Sequence, residues 1–344
     1  MKIFFRSISI IAVFILNSTV ISAPINANPE EKIDLVIESN KIFDPNKLSI
    51  DSLQMFEKNF HVDSRNIEKV GKDKTKIEEI ESFLVTTKLE ELKKLKQDDQ
   101  RAFGRLLYKL GDFYTYILRS PQLAIDKMIL ANNFLHNKED KAKIYNQLGY
   151  LYELKFSKSK QDADKSPALF YADQVINKFY PHNKNNEVAF AYVIKGLIER
   201  DQKNFGNAEK YLQEALQLYK NKVDEQYIIT QNRLAEVILA MNDRDQEALK
   251  ILEDLKSYWQ KKQITLNYFV AKTCLVLGEA YLKLNYGTEA KTELEHAVQI
   301  FQTIFGEQSD LLIKPYQLLS SVYNRLGERK RAQFFNKKAQ SLMH

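Results

Sequence analysis

Cysteine occurs once among the 344 residues, as Cys274. No internal disulfide framework is available, so the fold must hold by packing alone. Proline (7) and glycine (10) are scarce for this length, which excludes a loop-rich chain and favours helices with short connections. The net charge of +6 is not gathered into any basic block. A nucleic-acid-binding arm is therefore excluded, and the mild basicity is read as solubility. There is no glycine-rich phosphate loop, no GxSxG and no paired-cysteine metal site. The histidines His61, His136, His182, His296 and His344 are scattered, and none is read as having a second ligand at a metal-binding interval. His296 is expected to face solvent, and Cys274 to be a small buried hydrophobe. The expectation is a chain that is not an enzyme and has no cofactor and no metal.

Long apolar runs are also missing, except near the start. Ile8–Leu16 is apolar apart from Ser9 and follows Lys2 and Arg6. This is the layout of a secretory signal, too short to span a bilayer. Cleavage fits after Ala23 or Ala27, and Pro24 hinders the first site, so residues 1–27 are expected to be removed. Losing Lys2 and Arg6 with no acidic residue takes the charge from +6 to +4. The expected protein is exported, periplasmic or secreted, with no membrane span after signal removal.

What the chain does contain is a period. Leu277, Gly278, Tyr281, Leu284, Ala290, Leu294 and Ala297 return 42 residues later as Leu319, Ser320, Tyr323, Leu326, Ala332, Asn336 and Ala339. A fixed internal period means stacked helix–turn–helix units and not one globular core. Aligned on the small residue of the first helix, six repeats centre on Gly111, Gly149, Gly196, Ala235, Gly278 and Ser320. Ala124, Ala168, Ala208, Ala248, Ala290 and Ala332 stand opposite in the second helices. Two helices approach closely only where one side offers almost no side chain, which is the reason for this pairing. Tyr114, Tyr152, Tyr281 and Tyr323 fill the space beside it. An insertion in the second repeat, SKSKQDADKSP, is expected to be a surface loop. Before the array, residues 28–100 read as a helical or partly disordered lead-in. Ile77, Ile80 and Leu84 there belong to an amphipathic helix expected to cover the first face. The array itself is placed at 101–344.

The spacing resembles the tetratricopeptide repeat over residues 100–341, best in LVLGEAYLKLNYGTEAKTELEHAVQI and LLSSVYNRLGERKRAQFFNKKAQ. The period near 42 is similar to the longer kinesin-light-chain-like subtype. The resemblance implies an all-α, right-handed superhelical solenoid of about six repeats, whose first helices line a concave groove. It further implies a non-catalytic scaffold or adaptor holding a protein or peptide partner. Groove position five reads Tyr108, Asn146, Val193, Asn232, Leu275 and Gln317. The amides of Asn146, Asn232 and Gln317 carry both donor and acceptor, as a bound peptide backbone requires. Arg105, Lys143, Lys272 and Lys314 bring positive charge to the groove and suggest acidic ligand groups. The Lys/Asn/Arg clamp of the chaperone-tail variant has no matching register here. Other readings are a structural subunit of an envelope or secretion complex, or a secreted effector binding a host protein. Asn336 stands where inner repeats have an apolar residue, as suits a terminal unit. Phe334, Phe335 and Leu342 beside it suggest a homodimer through the C-terminal end.

Overall fold

A computed structural model describes residues 81, 96–116, 119–180, 185–219 and 225–343. The expected signal segment, and all of the lead-in before residue 96 except Glu81, lie outside the described residues. Twelve α-helices follow in order: α1 Gln97–Tyr116, α2 Pro121–Ala131, α3 Lys138–Ser159, α4 Asp162–Asp173, α5 Asn186–Asp201 and α6 Phe205–Leu218. Then come α7 Glu225–Met241, α8 Asp245–Lys261, α9 Tyr268–Lys283, α10 Gly287–Phe305, α11 Ile313–Arg325 and α12 Arg329–Ser341. Among the described residues there is no strand, and no helix is long and apolar enough to cross a membrane. The chain divides into two compact units, residues 1–144 and 145–344.

In the N-terminal unit α1 packs on α2. Leu106, Leu107 and Leu110 recur at helical spacing and are fully buried. A Cβ on Gly111 would lie 2.5 Å from Cε of Met128 on α2, so the small residue is what admits that methionine. Glu81, helical and buried, accepts hydrogen bonds from the Tyr114 hydroxyl at 2.7 Å and the Lys127 ammonium at 2.6 Å. Glu81 thus meets the α1–α2 pair through an ion pair shielded from water.

In the C-terminal unit the helices pair in sequence order, α5 on α6, α7 on α8, α9 on α10 and α11 on α12. Each second helix also packs on the first helix of the next pair. The expected small-to-small approach is the rule. A Cβ on Gly278 would meet Leu294 Cγ at 2.6 Å and the Ala290 carbonyl at 3.3 Å; one on Gly196 would meet the Ala208 carbonyl at 3.2 Å. At the sixth position Ser320 makes the same approach and donates its hydroxyl to the Ala332 carbonyl at 2.9 Å. All six facing alanines, Ala124 to Ala332, are buried.

Each first helix ends on one residue in the left-handed region. Arg119, Lys160, Lys203, Asn242, Asn285 and Gly327 follow α1, α3, α5, α7, α9 and α11, with φ between 51° and 79°. A left-handed residue reverses the chain and closes the last helical turn. The insertion in the second repeat is not a loop. α3 runs to Ser159 and α4 starts at Asp162, leaving Lys160 and Gln161 as the turn. Asp162 and Asp164 stabilise the N-terminus of α4 through the helix dipole, and Ser159 donates to Asp164. Asp162, Asp164 and Pro167, which signal a loop by residue type, are absorbed into the opening turns of α4. At the far end Asn336 and Phe334 are exposed, while Phe335 stacks on Tyr323 at 5.5 Å.

Candidate functional site

Four first helices, α3, α5, α7 and α9, together with Trp259 of α8, enclose a cavity of about 160 Å³. Its apolar wall includes Tyr150, Leu197, Trp259, Tyr268 and Phe269, and its charged groups are Glu153, Arg200, Arg233, Glu236 and Lys272. Three cations therefore face two carboxylates.

The ionic order is specific. Arg200 bridges Glu153 and Glu236, each at 3.5 Å, and bonds Asp201 at 2.8 Å. Lys272 adds a 2.9 Å contact to Glu236. Burial alone would raise the Glu236 carboxyl, but Lys272 and Arg200 outweigh it and hold the group down at about 2. Glu153 has only the longer contact to Arg200, so burial wins and pushes it up to about 7. Burial would lower Arg200, yet Glu153, Glu236 and Asp201 raise it further. Arg233 lies over the Tyr150 ring at 5.4 Å. Its Nη1 is buried with no hydrogen-bond partner among the described residues. A buried guanidinium nitrogen without an acceptor is costly, which makes it the group most ready to take an anionic oxygen from a ligand.

The residues expected to bind a ligand are distributed unequally. Asn232 and Lys272 line the cavity. The Asn232 amide donates to Thr273 Oγ1 at 2.9 Å, and that oxygen also accepts from Trp259 Nε1 at 3.1 Å. Asn146 is 2% exposed and donates to the Glu187 carbonyl at 3.0 Å and its carboxylate at 2.8 Å. Its own Oδ1 is buried and has no partner among the described residues. Gln317 is exposed on α11. At position five Asn146 and Asn232 thus bond to the next first helix, and Val193 and Leu275 are buried.

The positive charges also have internal partners. Lys314 pairs with Glu279 at 2.6 Å, as Lys272 does with Glu236, in each case reaching back from position two to position nine of the preceding repeat. Lys143 pairs with Glu139 at 2.6 Å within its own helix, and Arg105 is half-buried on α1. Arg325 donates to the Leu282 carbonyl at 2.6 Å and to Asn285 at 2.9 Å. Lys283 repeats this one pair earlier, reaching the Leu239 carbonyl and Asn242. Arg233 stands out only once the geometry is known; repeat spacing singles out its neighbour Asn232 and gives no signal for the arginine.

Cys274 is buried as expected. Burial first, then the Glu293 carboxylate, push its thiol up to about 12, away from the thiolate form that reacts. One cluster was missed. Glu293 stands three residues before His296 on α10, an interval that puts both on one face, and Cys274 faces them from α9.

The tetratricopeptide repeat model matches residues 191–222 and 271–303, which cover most of α5–α6 and α9–α10. No curated protein matches the chain in sequence. Among solved structures, a Rap protein complexed with competence and sporulation factor aligns with a TM-score of 0.54 at 13% identity. That alignment covers 98% of this chain and 96% of that one. BtubC (BKLC) from P. vanneervenii aligns at 0.48 and 16% identity over 66% of this chain and 89% of its own. The apo quorum sensor NprR from B. thuringiensis aligns at 0.46 and 14% identity over 100% and 99%. Among the described residues the fold is therefore all-helical, twelve helices packed pairwise in sequence as in a tetratricopeptide-repeat solenoid.

Proposed function

We propose that this array is a non-catalytic adaptor of the kinesin-light-chain-like repeat subtype, acting outside the cytoplasm. It holds a protein or peptide segment that places an acidic group in the cavity between α3, α5, α7 and α9. The observation that carries this reading is the buried Nη1 of Arg233, without a hydrogen-bond partner among the described residues, in a cavity whose lining cations outnumber its lining carboxylates. The volume suits one inserted side chain or terminal carboxylate, with aromatic walls taking the apolar stem. The Rap structure is of a complex with competence and sporulation factor. At 13% identity it supplies the fold, and the case for an acidic ligand rests on the cavity. The export reading rests on the sequence of residues 1–27.

The test is a pull-down from a cell-envelope extract with the native chain and Arg233→Ala as baits, read by mass spectrometry. The captured partner is then titrated against both. Truncating one member of a charge pair in a dry site costs about 2–5 kcal/mol, so binding should weaken by more than tenfold. A partner held equally by both baits would move the interaction away from the cavity. The C-terminal end would then be the next place to look, because Phe334 there is 52% exposed.

A further inference from the structure

The other concentration of chemistry lies between α9 and α10, in the pair that matches the repeat model. Cys274, Glu293 and His296 each present one ligand atom, and these atoms lie within 4.8 Å of one another. Cys274 Sγ and His296 Nδ1 are 3.5 Å apart. A tetrahedral zinc ion, with bonds of about 2.3 Å to sulfur and about 2.0 Å to nitrogen, separates two such ligands by roughly 3.5 Å.

The third ligand supplies an independent observation. Glu293 is 5% exposed. Its Oε1 accepts from Lys256 of α8, while Oε2 is buried and accepts no hydrogen bond from a nitrogen or hydroxyl among the described residues, and the carboxylate acts on the Cys274 thiol. A carboxylate oxygen sealed from water should be paired, and the thiol and imidazole are the groups beside it. The Lys256 ammonium opposes a cation, but its hydrogen bond fixes the carboxylate from behind, as outer partners do in metal sites. His296 is exposed, which gives an ion a route from solvent and leaves room for water as a fourth ligand.

We propose that Cys274, Glu293 and His296 form a zinc-class metal site that clips α9 to α10. On binding, the thiol proton leaves to solvent and the sulfur pair forms the metal–sulfur bond. The imidazole nitrogen and the carboxylate oxygen supply the other lone pairs, and any proton they carry leaves to solvent as well. The site stabilises the folded array by mass action and performs no reaction.

The test uses the full chain, reduced and metal-free, titrated with Co²⁺ alone. A thiolate-to-cobalt charge-transfer band with tetrahedral visible bands, saturating at one ion per chain and displaced by Zn²⁺, is expected. His296→Ala removes an exposed side chain, so its fold should persist, checked by the helical circular dichroism signal. In it the dissociation constant should rise by more than about tenfold. Cys274→Ser should abolish the charge-transfer band. Zn²⁺ should raise the thermal midpoint of the native chain and not that of His296→Ala. Absence of the band in the native chain, or a band unchanged in His296→Ala, would overturn the proposal and leave the cluster as a packing contact.

Discussion

Glu153 and Glu236 line one cavity and share Arg200, yet they sit at opposite ends of the carboxylate range. Lys272 supplements Arg200 at Glu236, whereas Glu153 has burial and the Asp201 carboxylate against Arg200. A raised carboxyl binds its proton more tightly folded than unfolded. Its contribution to stability is therefore complete below the ordinary carboxylate range and is lost as pH rises through about 7. Glu236 has the opposite sign: its contribution is present above the ordinary range and is lost as pH falls toward about 2. Glu153→Gln should accordingly stabilise the chain above pH 7 and flatten the pH dependence between about 5 and 8. Denaturant midpoints measured across that range check it; a steeper dependence in the variant would contradict the assignment. At this scale the sequence is only half legible. Spacing shows that Asn146 and Asn232 share a place in the repeat. It does not show that Glu187 and Thr273, on the next first helix, take their amides. Likewise Glu293 and His296 are readable as a pair on one helix face, but Cys274 joins them only once the register of α9 against α10 is known.

Between helices, the geometry turns on which side chains are missing. A Cβ on Gly278 would press on Leu294 and the Ala290 carbonyl, whereas a Cβ on Gly206 would meet nothing within 4 Å. The same residue type therefore predicts opposite outcomes. Gly278→Val should cost about 1–3 kcal/mol through overpacking of the α9–α10 contact. Gly206→Ala, inside α6 with open space around it, should gain about 0.5–1 kcal/mol from reduced backbone freedom. Urea denaturation of the two variants beside the native chain tests the pair. The small-residue positions are visible in the sequence because this constraint admits so few residue types. The turns are not. Asn242, Asn285 and Gly327 are ordinary choices for the left-handed region, but Arg119, Lys160 and Lys203 carry no such signal. For that reason the insertion after α3 reads as a loop when it is mostly helix.

At the scale of the molecule, fold class follows from periodicity alone, since a repeat that recurs must bury its face against the next one. The cavity cannot be read in the same way, because it takes residues from four repeats whose relative rotation no single repeat encodes. Within the C-terminal unit, neighbours are unevenly distributed. α10 is covered by α9 on one side and α11 on the other, while α12 packs on α11 and leaves Phe334 exposed. Hydrogen exchange should therefore be slowest in α9 and α10 and should speed up toward α12, whose opening needs no other helix to move. Uniform protection from α9 to α12 would argue that another surface covers that end.

Lys283 and Arg325 give these neighbour relations a direction. Each completes the end of a first helix from the repeat that follows it, never from the one before. During synthesis, then, the fourth and fifth repeats leave the ribosome with their closing cations still untranslated. Over that stretch maturation trails elongation by one repeat, and the piece still waiting to be locked is the one just made.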